Sequence, residues 1–457
     1  MFLLLFYFSA INLIQSEEDQ IKTFLKLKKI LLKPPSEAWS YTKYKTLKDL
    51  YLSEELINKG IENEGILSKQ AIESQLEKAA KGINVMLYVI GESVSVGSEL
   101  GEENQKYVFH NALANWWNNT IGVTTGSQMV RRVIAVGGVS SMYFEKCLQE
   151  YVTNNDTFDI ILWEFNINDG ALEKEILQKT LQKLIFKLYR MHNRVDLIFI
   201  VFYDRSLFEK KITTKHKISE TVILDMAIKY SLTSLNIEQY AEKSQDVGEK
   251  ELITGKHPSI LAHAQMSLLI IKYYTIVMLN AIEKIITQQG SFSTNIKMNA
   301  KDLMNDFENN SICWTGVNPD FNSVKLKHSL FDLPAKMTKG FTKVTKAWNN
   351  IPEKRVDYTG GYVSKVKNET LEIKFNIENK SDFRDTKLYI AYRFDFANCS
   401  SLVKVSNKNV TKTLKIQSGE IPLGLTVKYV GLFPIGKYTL QVQTEKGGIN
   451  ICSIIIT

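Results

Sequence analysis

Four short apolar runs, separated by amphipathic stretches, constrain the fold of this chain more than any other feature. The runs span residues 84–90, 130–136, 158–165 and 195–203. Between the last two runs, leucines recur at helical spacing at positions 177, 181, 184 and 188. Short buried strands that alternate with amphipathic helices are typical of a parallel sheet with helices on both faces. We therefore predict a three-layer α/β/α domain over residues 81–290.

The chain changes character on both sides of this region, and its 457 residues exceed what one hydrophobic core usually serves. Residues 17–80 are polar and lysine-rich with helical apolar spacing, which predicts a helical N-terminal extension. Beyond residue 295, alternating segments such as 370–377 and 438–443 are punctuated by Gly and Asn. This pattern predicts a β-rich, sandwich-like domain over residues 295–457.

The N-terminus resembles a targeting signal. Residues 1–15 are almost wholly apolar and give way at once to a Ser-Glu-Glu-Asp sequence. We predict a signal peptide over residues 1–16 and a protein that is secreted or resides in the lumen of the secretory pathway. The segment lacks a basic residue, so membrane attachment stays open if it is not cleaved. A second apolar stretch, 267–279, carries Lys272 in its middle and suits a helix buried against a sheet better than a bilayer.

Cysteines and glycosylation motifs fit an oxidising compartment. The four cysteines could form two disulfides, whose pairing the sequence leaves open. They are Cys147, Cys313, Cys399 and Cys452. Asn-X-Ser/Thr motifs give weak support to a secreted glycoprotein, and they occur at Asn118, Asn155, Asn309, Asn368, Asn379, Asn398 and Asn409.

Charge and histidine placement argue against two classes of partner. The net charge of +8, from 57 basic and 49 acidic residues, is carried by scattered lysines, so we expect no nucleic acid partner. No histidine or cysteine lies at metal-ligand spacing, so we expect no metal and no cofactor.

Chemically suggestive residues follow the predicted strands, and in open parallel sheets the ligand crevice lies at the carboxyl ends of the strands. Ser93 follows the first run, Gly138 the second and Asn168 the third, while His257 comes much later. Acyl transfer needs a nucleophile, a base and donors for the developing oxyanion. We predict that Ser93 attacks and His257 takes its proton. The backbone N–H groups of Ser93 and Gly138 and the side-chain amide of Asn168 form the predicted oxyanion hole.

These blocks resemble the four motifs of the SGNH (GDSL-like) hydrolases, which supply Ser, Gly, Asn and His in that order. The resemblance covers about residues 80–285. It implies a flavodoxin-like sheet and a serine esterase that hydrolyses a carboxylic ester through an acyl-serine intermediate, without a cofactor. The substrate stays open among an acetylated glycan, a lipid and a small ester. The trailing β-rich region also resembles certain eukaryotic SGNH-type proteins.

The sequence departs from the family pattern at several positions. Glu92 stands where the family usually has Asp, Asn166 replaces a small residue, and Gly137 is a one-residue alternative to Gly138. The largest departure is Thr254, three residues before His257, where the family has the triad Asp. Three acids of the same loop are candidates for its role, namely Glu251, which we prefer, Glu249 and Asp246. The alternative is a Ser–His dyad, in which a backbone carbonyl orients the histidine.

Other interpretations remain at this stage. His263 is a rival base, although a packed histidine explains it equally simply. A carboxylate pair of a glycosidase, Glu164 and Asp169, is disfavoured because strand alternation directs Glu164 away from the crevice. Thr254 also motivates a pseudoenzyme, which would use the SGNH scaffold to bind a glycan or a surface partner. A third alternative is a structural protein in which the motifs are ordinary turns.

Overall fold

A computed structural model gives the fold of the chain. It describes residues 19–33, 44, 46–152, 157–192, 195–203, 214–238, 240, 249–255, 257–287, 311–317, 326–345, 360–378, 386–394, 399–417 and 424–457. The signal peptide predicted over residues 1–16 lies outside these residues, as do Asp246 and the motifs at Asn155, Asn309, Asn379 and Asn398.

A six-stranded sheet forms the centre of the first domain. Its strands are β1 (Ile61–Asn63), β2 (Val85–Gly91), β3 (Met129–Ala135), β4 (Ile160–Glu164), β5 (Asp196–Val201) and β6 (Thr233–Asn236). The order across the sheet is β1-β6-β5-β4-β2-β3, with β1 antiparallel to β6 and all other pairs parallel. This is the flavodoxin-like order, in which the direction of winding reverses between β2 and β4. The four predicted strands correspond to β2 to β5.

Helices cover both faces of this sheet. They are α1 (residues 19–31), α2 (Glu54–Lys59), α3 (Ile66–Ala80), α4 (Ser93–Val96), α5 (Phe109–Trp117), α6 (Val123–Thr125), α7 (Ser141–Tyr151), α8 (Asn166–Asp169), α9 (Lys174–Met191), α10 (Thr214–Tyr230), α11 (Glu249–Leu252) and α12 (Ile260–Thr287). One apolar core lies under α3, α5 and α12, and a second lies under α7, α9 and α10. The three-layer α/β/α prediction is confirmed, and the four leucines of the predicted crossover helix are fully buried in α9.

The segment before residue 81 contributes to the same domain. Strand β1 pairs with the edge strand β6, and helix α3 packs against α12 and β5. The boundary predicted at residue 81 therefore falls between α3 and β2, inside the unit that carries the sheet.

Among the described helices, one is long and apolar enough to span a membrane. This helix, α12, contains the stretch 267–279 and is mostly buried within the protein. Its length of 28 residues provides much of the apolar surface on one face of the sheet.

The C-terminal region is a β-sandwich, as predicted. Its strands are β9 (Ile312–Thr315), β10 (Ala335–Met337), β11 (Phe341–Val344), β12 (Gly361–Ser364), β13 (Thr370–Ile377), β14 (Thr386–Phe394), β15 (Ser400–Ser406), β16 (Thr411–Gln417), β17 (Thr426–Phe433), β18 (Gly436–Lys446) and β19 (Ile449–Ile456). One antiparallel sheet has the order β10-β13-β18-β15-β16, and the other has the order β11-β12-β19-β14-β17 with β9 added to β19. Alternate residues of both sheets fill a shared core.

The second face of strand β19 joins the two domains. Cys452 and Ile455 point away from the sandwich core into the core beneath α7 and α9. A disulfide links Cys147 of α7 to Cys313 of β9, and Tyr143 Oη lies 2.7 Å from Thr315 Oγ1 beside it. The disulfide pairing, which the sequence left open, is thus an interdomain one. The thiols of Cys399 and Cys452 are buried.

A buried acid at the start of β5 makes the stability of the fold depend on pH. Burial raises the pKa of Asp196 from 3.8 to about 7, and Tyr274 Oη donates a hydrogen bond of 2.6 Å to its Oδ2. Between about pH 4 and pH 7 the unfolded chain loses this proton while the native protein keeps it. Stability is therefore highest at low pH with respect to this group and falls as the pH rises, by about 4 kcal/mol in total.

We expect Asp196→Asn to remove this part of the pH dependence, because the amide oxygen still accepts from Tyr274 and carries no titrating proton. Urea unfolding at pH 5 and pH 8 measures the effect, with the exposed Asp225→Asn as the control variant. Equal losses of stability between the two pH values in wild type and Asp196→Asn would contradict the assignment.

Candidate active site

The predicted motifs meet at the carboxyl edge of the sheet, beside the point where its winding reverses. Ser93 follows β2, Gly138 follows β3 and Asn168 follows β4. Helix α4, which begins at Ser93, contacts the two-residue strand β8 (His257–Pro258), with Cα atoms of the two elements within 8 Å. Open α/β sheets bind ligands at this edge, beside the point where the winding reverses.

Ser93 lies on a tight strand-to-helix turn. Gly91 ends β2, and a Cβ atom at this position would overlap the Ser95 side chain, so only glycine allows the chain to turn here. Ser93 then opens the four-residue helix α4, which ends at Gly97 with a φ of 73°. The serine side chain is nearly buried, with 9% of the residue exposed. Such a turn presents a side chain at the sheet edge without much freedom to move.

His257 lies on a small hairpin above this turn. Strands β7 (Ile253–Thr254) and β8 pair so that Thr254 is directly opposite His257, and Gly255 turns with a φ of 62°. Ser259 caps the following helix α12, because its Oγ accepts hydrogen bonds from the backbone of Leu261 and Ala262. The histidine is therefore held between a turn and a capped helix, and its side chain is 23% exposed.

The acid that lies closest to this histidine in the described contacts is Glu99. Its Oε2 is 3.1 Å from His257 Nδ1, and its side chain is 21% exposed. The atoms are at ion-pair distance without the alignment of a full hydrogen bond. Catalytic hydrogen bonds are often loose in this way before substrate is bound. Glu99 follows α4 directly, so one loop carries both the predicted nucleophile and this acid.

The acids predicted from the hairpin's own loop are placed differently. Glu251 is exposed on α11, and its backbone carbonyl accepts a hydrogen bond from Ser259 Oγ. The backbone of Glu249 begins the same short helix, and Asp246 lies outside the described residues. Thr254, at the position of the family's Asp, is exposed.

The turn after β3 supplies the predicted glycine of the oxyanion hole. Gly138 has a φ of 71° and is half-buried, whereas the neighbouring Gly137 is buried. The Gly138 carbonyl accepts a hydrogen bond of 2.6 Å from the backbone N–H of Leu425 in the sandwich domain. The second domain therefore holds the Gly138–Val139 peptide group, which follows the peptide group that carries the predicted donor, the Gly138 N–H.

Asn168 is anchored by the block that carries the nucleophile. Its Nδ2 donates to Glu92 Oε2 and, at 3.3 Å, to the carbonyl of Val139, while its backbone N–H lies 3.3 Å from Glu92 Oε1. The departure from Asp to Glu at position 92 thus provides a side chain that reaches Asn168. An oxyanion in the crevice would compete with the distant Val139 carbonyl for one amide hydrogen.

Asn166, which replaces the small residue of the family motif, has a clear structural role. Its side chain exchanges two hydrogen bonds with the backbone of Phe202, with lengths of 2.6 and 3.0 Å. The Asn166 amide thus donates to and accepts from one backbone residue, as a neighbouring strand would, and it connects the turn after β4 to the residue that follows β5.

Two further acids of these motifs are fully buried beneath the crevice. Burial raises the pKa of Glu164 to about 8 and that of Asp169 to about 7. Burial and the nearby Glu164 also raise the pKa of Glu92. The cluster consequently carries less negative charge at neutral pH than three carboxylates would. Glu164 accepts hydrogen bonds from the backbone and hydroxyl of Ser95, and Asp169 accepts one from the backbone of Ser141. Glu164 and Asp169 thus accept hydrogen bonds that hold the turns after β2 and β3. Because both are fully buried in these contacts, they do not suit a pair of glycosidase carboxylates, which must reach the substrate.

The rival base His263 is a core residue. It is 1% exposed on α12, its ring lies 6.0 Å from the Phe109 ring, and its Nδ1 lies 3.4 Å from the Phe109 backbone nitrogen. Burial, helped by repulsion from His257, lowers its pKa to about 3. His263 is therefore neutral, and it packs against Phe109 at the start of α5.

Sequence reasoning missed Glu99 as a partner of His257. The two residues are far apart in the chain, and the family motif directs attention to the loop before the histidine. A usable signal exists in retrospect, because Glu99 lies in a glycine-flanked turn directly after the nucleophile block. Such a turn must lie at the same sheet edge as Ser93.

The strand order, the post-strand motifs and the trailing sandwich together define the class of this protein at the level of fold. The chain has the α/β/α fold of the SGNH-type hydrolases, followed by a second, β-rich domain.

Two solved two-domain structures have a similar fold over most of the chain. A two-domain esterase active on acetylated mannans matches with a TM-score of 0.57 and 16% identity, covering 87% of this chain and 97% of that one. A two-domain esterase active on acetylated mannans, co-crystallised with mannopentaose, matches with a TM-score of 0.55 and 14% identity. This match covers 87% of this chain and 98% of that one. A lipolytic G-D-S-L family protein from Veillonella parvula matches with a TM-score of 0.32 and 11% identity, covering 41% of this chain and 97% of that one. No family model and no curated protein matches the sequence.

Proposed function

We propose that this protein is a serine esterase that hydrolyses carboxylic esters, with Ser93 as nucleophile and His257 as general base. The observation that carries the proposal is the contact between the helix that begins at Ser93 and the strand that carries His257, at the reversal point of the sheet. Nucleophile and base must approach each other for proton transfer, and the packing of these two elements supports the assignment because it brings their backbones close together.

In the acylation step, Ser93 Oγ attacks the ester carbonyl carbon and its proton passes to His257 Nε2. The carbonyl oxygen becomes an oxyanion, which the N–H groups of Ser93 and Gly138 and the amide of Asn168 stabilise. Collapse of this intermediate breaks the ester bond. The leaving alcohol receives the proton from His257, and the acyl group stays on Ser93.

In the deacylation step, His257 takes a proton from water, whose oxygen attacks the acyl carbon. The second tetrahedral intermediate collapses to the free carboxylic acid, and Ser93 Oγ recovers its proton from His257. The reaction consumes one water per ester and needs no cofactor. Each donor of the oxyanion hole is worth about 3 kcal/mol of transition-state stabilisation in enzymes of this type.

For the substrate we propose an acetylated glycan ahead of a lipid or a small ester. Similarity over both domains to an esterase active on acetylated mannans supports this order, because the match extends through the sandwich as well as the catalytic fold. We further propose that the protein is secreted, which the buried Cys147–Cys313 disulfide supports because such bonds persist in oxidising compartments.

A serine-reactive fluorophosphonate tests the proposal directly. We expect wild-type protein without residues 1–16 to be labelled once per chain, with the adduct mapped to Ser93 by mass spectrometry. Ser93→Ala should not be labelled, and Ser95→Ala should retain labelling as the matched control. Acetate release from acetylated mannan, compared with a long-chain ester of p-nitrophenol, then orders the substrate classes.

The other candidate is a pseudoenzyme that binds a glycan without turnover. Thr254 motivates it, since this position lacks the family's acid. A folded wild-type protein that neither reacts with the fluorophosphonate nor hydrolyses esters, yet binds mannan oligosaccharides, would replace the esterase proposal with this one.

A further inference from the structure

We infer that Glu99 supplies the carboxylate that orients His257, in place of the acid that Thr254 does not provide. The inference rests on the proposed function, because it concerns the base of the same site. Glu99 is a positioning residue in this view, since it acts on the substrate only through the histidine. Three observations support it independently.

The first observation is the contact itself. Glu99 Oε2 lies 3.1 Å from His257 Nδ1, and the two side chains are each about one-fifth exposed. A carboxylate on Nδ1 favours the tautomer with hydrogen on that atom, which leaves Nε2 free to accept the serine proton. It also stabilises the imidazolium that forms during attack. The position of Glu99 matches what a triad acid must do.

The second observation is the backbone of Glu99, which has a φ of 67°. Residues other than glycine rarely adopt this left-handed conformation, because it brings Cβ close to the backbone carbonyl. Such strain persists where the surrounding structure imposes it, and it is concentrated at functional sites. Here it directs a charged side chain back over the nucleophile loop toward the hairpin of His257.

The third observation is the space that the hairpin leaves for this carboxylate. A Cβ atom at Gly255 would overlap Glu99 Oε2, and Gly255 itself has a φ of 62°. The glycine therefore serves both the turn and the approach of the acid. Since Thr254 pairs with His257 across the same hairpin, an acid at either position 99 or position 254 could approach the histidine.

Kinetics of p-nitrophenyl acetate hydrolysis test this assignment. We expect Glu99→Gln to lower kcat at least about 100-fold with little change in KM, because the amide keeps the shape but loses the charge. The corresponding Asp→Asn change in a serine protease lowers turnover about 10⁴-fold. The exposed Glu103→Gln, in the same region of the chain, is the matched control, and Glu251→Gln tests the competing acid.

Two further measurements separate a positioning role from a merely structural one. Nitrogen-15 NMR of labelled histidine should show hydrogen on Nδ1 of His257 in wild type and a mixture of tautomers in Glu99→Gln. The double variant Glu99→Gln/Thr254→Asp should regain part of the lost kcat, since it returns an acid to the family's position.

The outcomes distinguish this inference from the proposed function. If wild type is inactive and unlabelled by the fluorophosphonate, the esterase proposal fails. If wild type is active, but Glu99→Gln keeps its kcat and its Nδ1 hydrogen, the inference about Glu99 is overturned alone. Loss of kcat in Glu251→Gln instead would assign the role to the hairpin's own loop.

Discussion

Ser93→Ala is expected to lower kcat/KM for p-nitrophenyl acetate at least 10⁴-fold, to the rate supported by binding and oxyanion contacts alone. The alanine retains the turn after β2, because Gly91 and not the serine hydroxyl makes that turn possible. The loss should therefore occur without a change in melting temperature. Steady-state kinetics and thermal unfolding of the two proteins measure it.

The proposed mechanism also predicts the effect of combining Ser93→Ala with His257→Ala. Ser93 and His257 act as a unit in proton transfer, so the double variant Ser93→Ala/His257→Ala should be no slower than Ser93→Ala. If the two losses multiplied instead, the residues would act independently and the proposed proton transfer would be wrong. Ser95→Ala provides the control for a nearby buried hydroxyl, which contacts Glu164 rather than the crevice.

Removal of the interdomain disulfide is expected to have the largest effect on stability. Cys147 and Cys313 are separated by 166 residues, and the chain-entropy model assigns about 5 kcal/mol to closing so long a loop in the unfolded state. We expect Cys147→Ala/Cys313→Ala to lose up to that amount of unfolding free energy. Guanidinium unfolding, followed by tryptophan fluorescence, measures the loss.

A single buried thiol gives the control for lost packing. Cys399→Ala removes a similar volume from the sandwich core without opening a disulfide. A reductant should destabilise wild type and Cys399→Ala but leave the double variant unchanged. If reductant has no effect on the wild-type midpoint, the bond does not stabilise the native state.

Much of the first domain could be predicted because the strands β2, β4 and β5 in the middle of its sheet are mostly apolar runs. Strands β2, β4 and β5 are buried along almost their whole length, so their sequences stand out without any knowledge of their neighbours. Apart from its first residue, the edge strand β3 is buried only in its second half, which is the apolar part of its run. Strand β6 (Thr233–Asn236) was not predicted, since it carries a single apolar residue and its polar atoms are satisfied by neighbours such as Glu62. The edge strand β1 was also not predicted, because it has only three residues and one of them is apolar.

The candidate site could be predicted as far as its residues follow strands. Ser93, Gly138 and Asn168 lie at one sheet edge because consecutive parallel strands end there. Glu99 could not be predicted in this way, since its distance to His257 depends on a left-handed residue and on the hairpin turn at Gly255. Such features arise from tertiary packing, which periodicity does not encode.

The hydrogen bond from Leu425 to the Gly138 carbonyl affects how the second domain can influence the reaction. The bond holds the Gly138–Val139 peptide, which adjoins the peptide of the predicted oxyanion donor, so a movement of the sandwich would also move this turn. Under the proposed function, a glycan that shifts the sandwich on binding would then change kcat as well as KM.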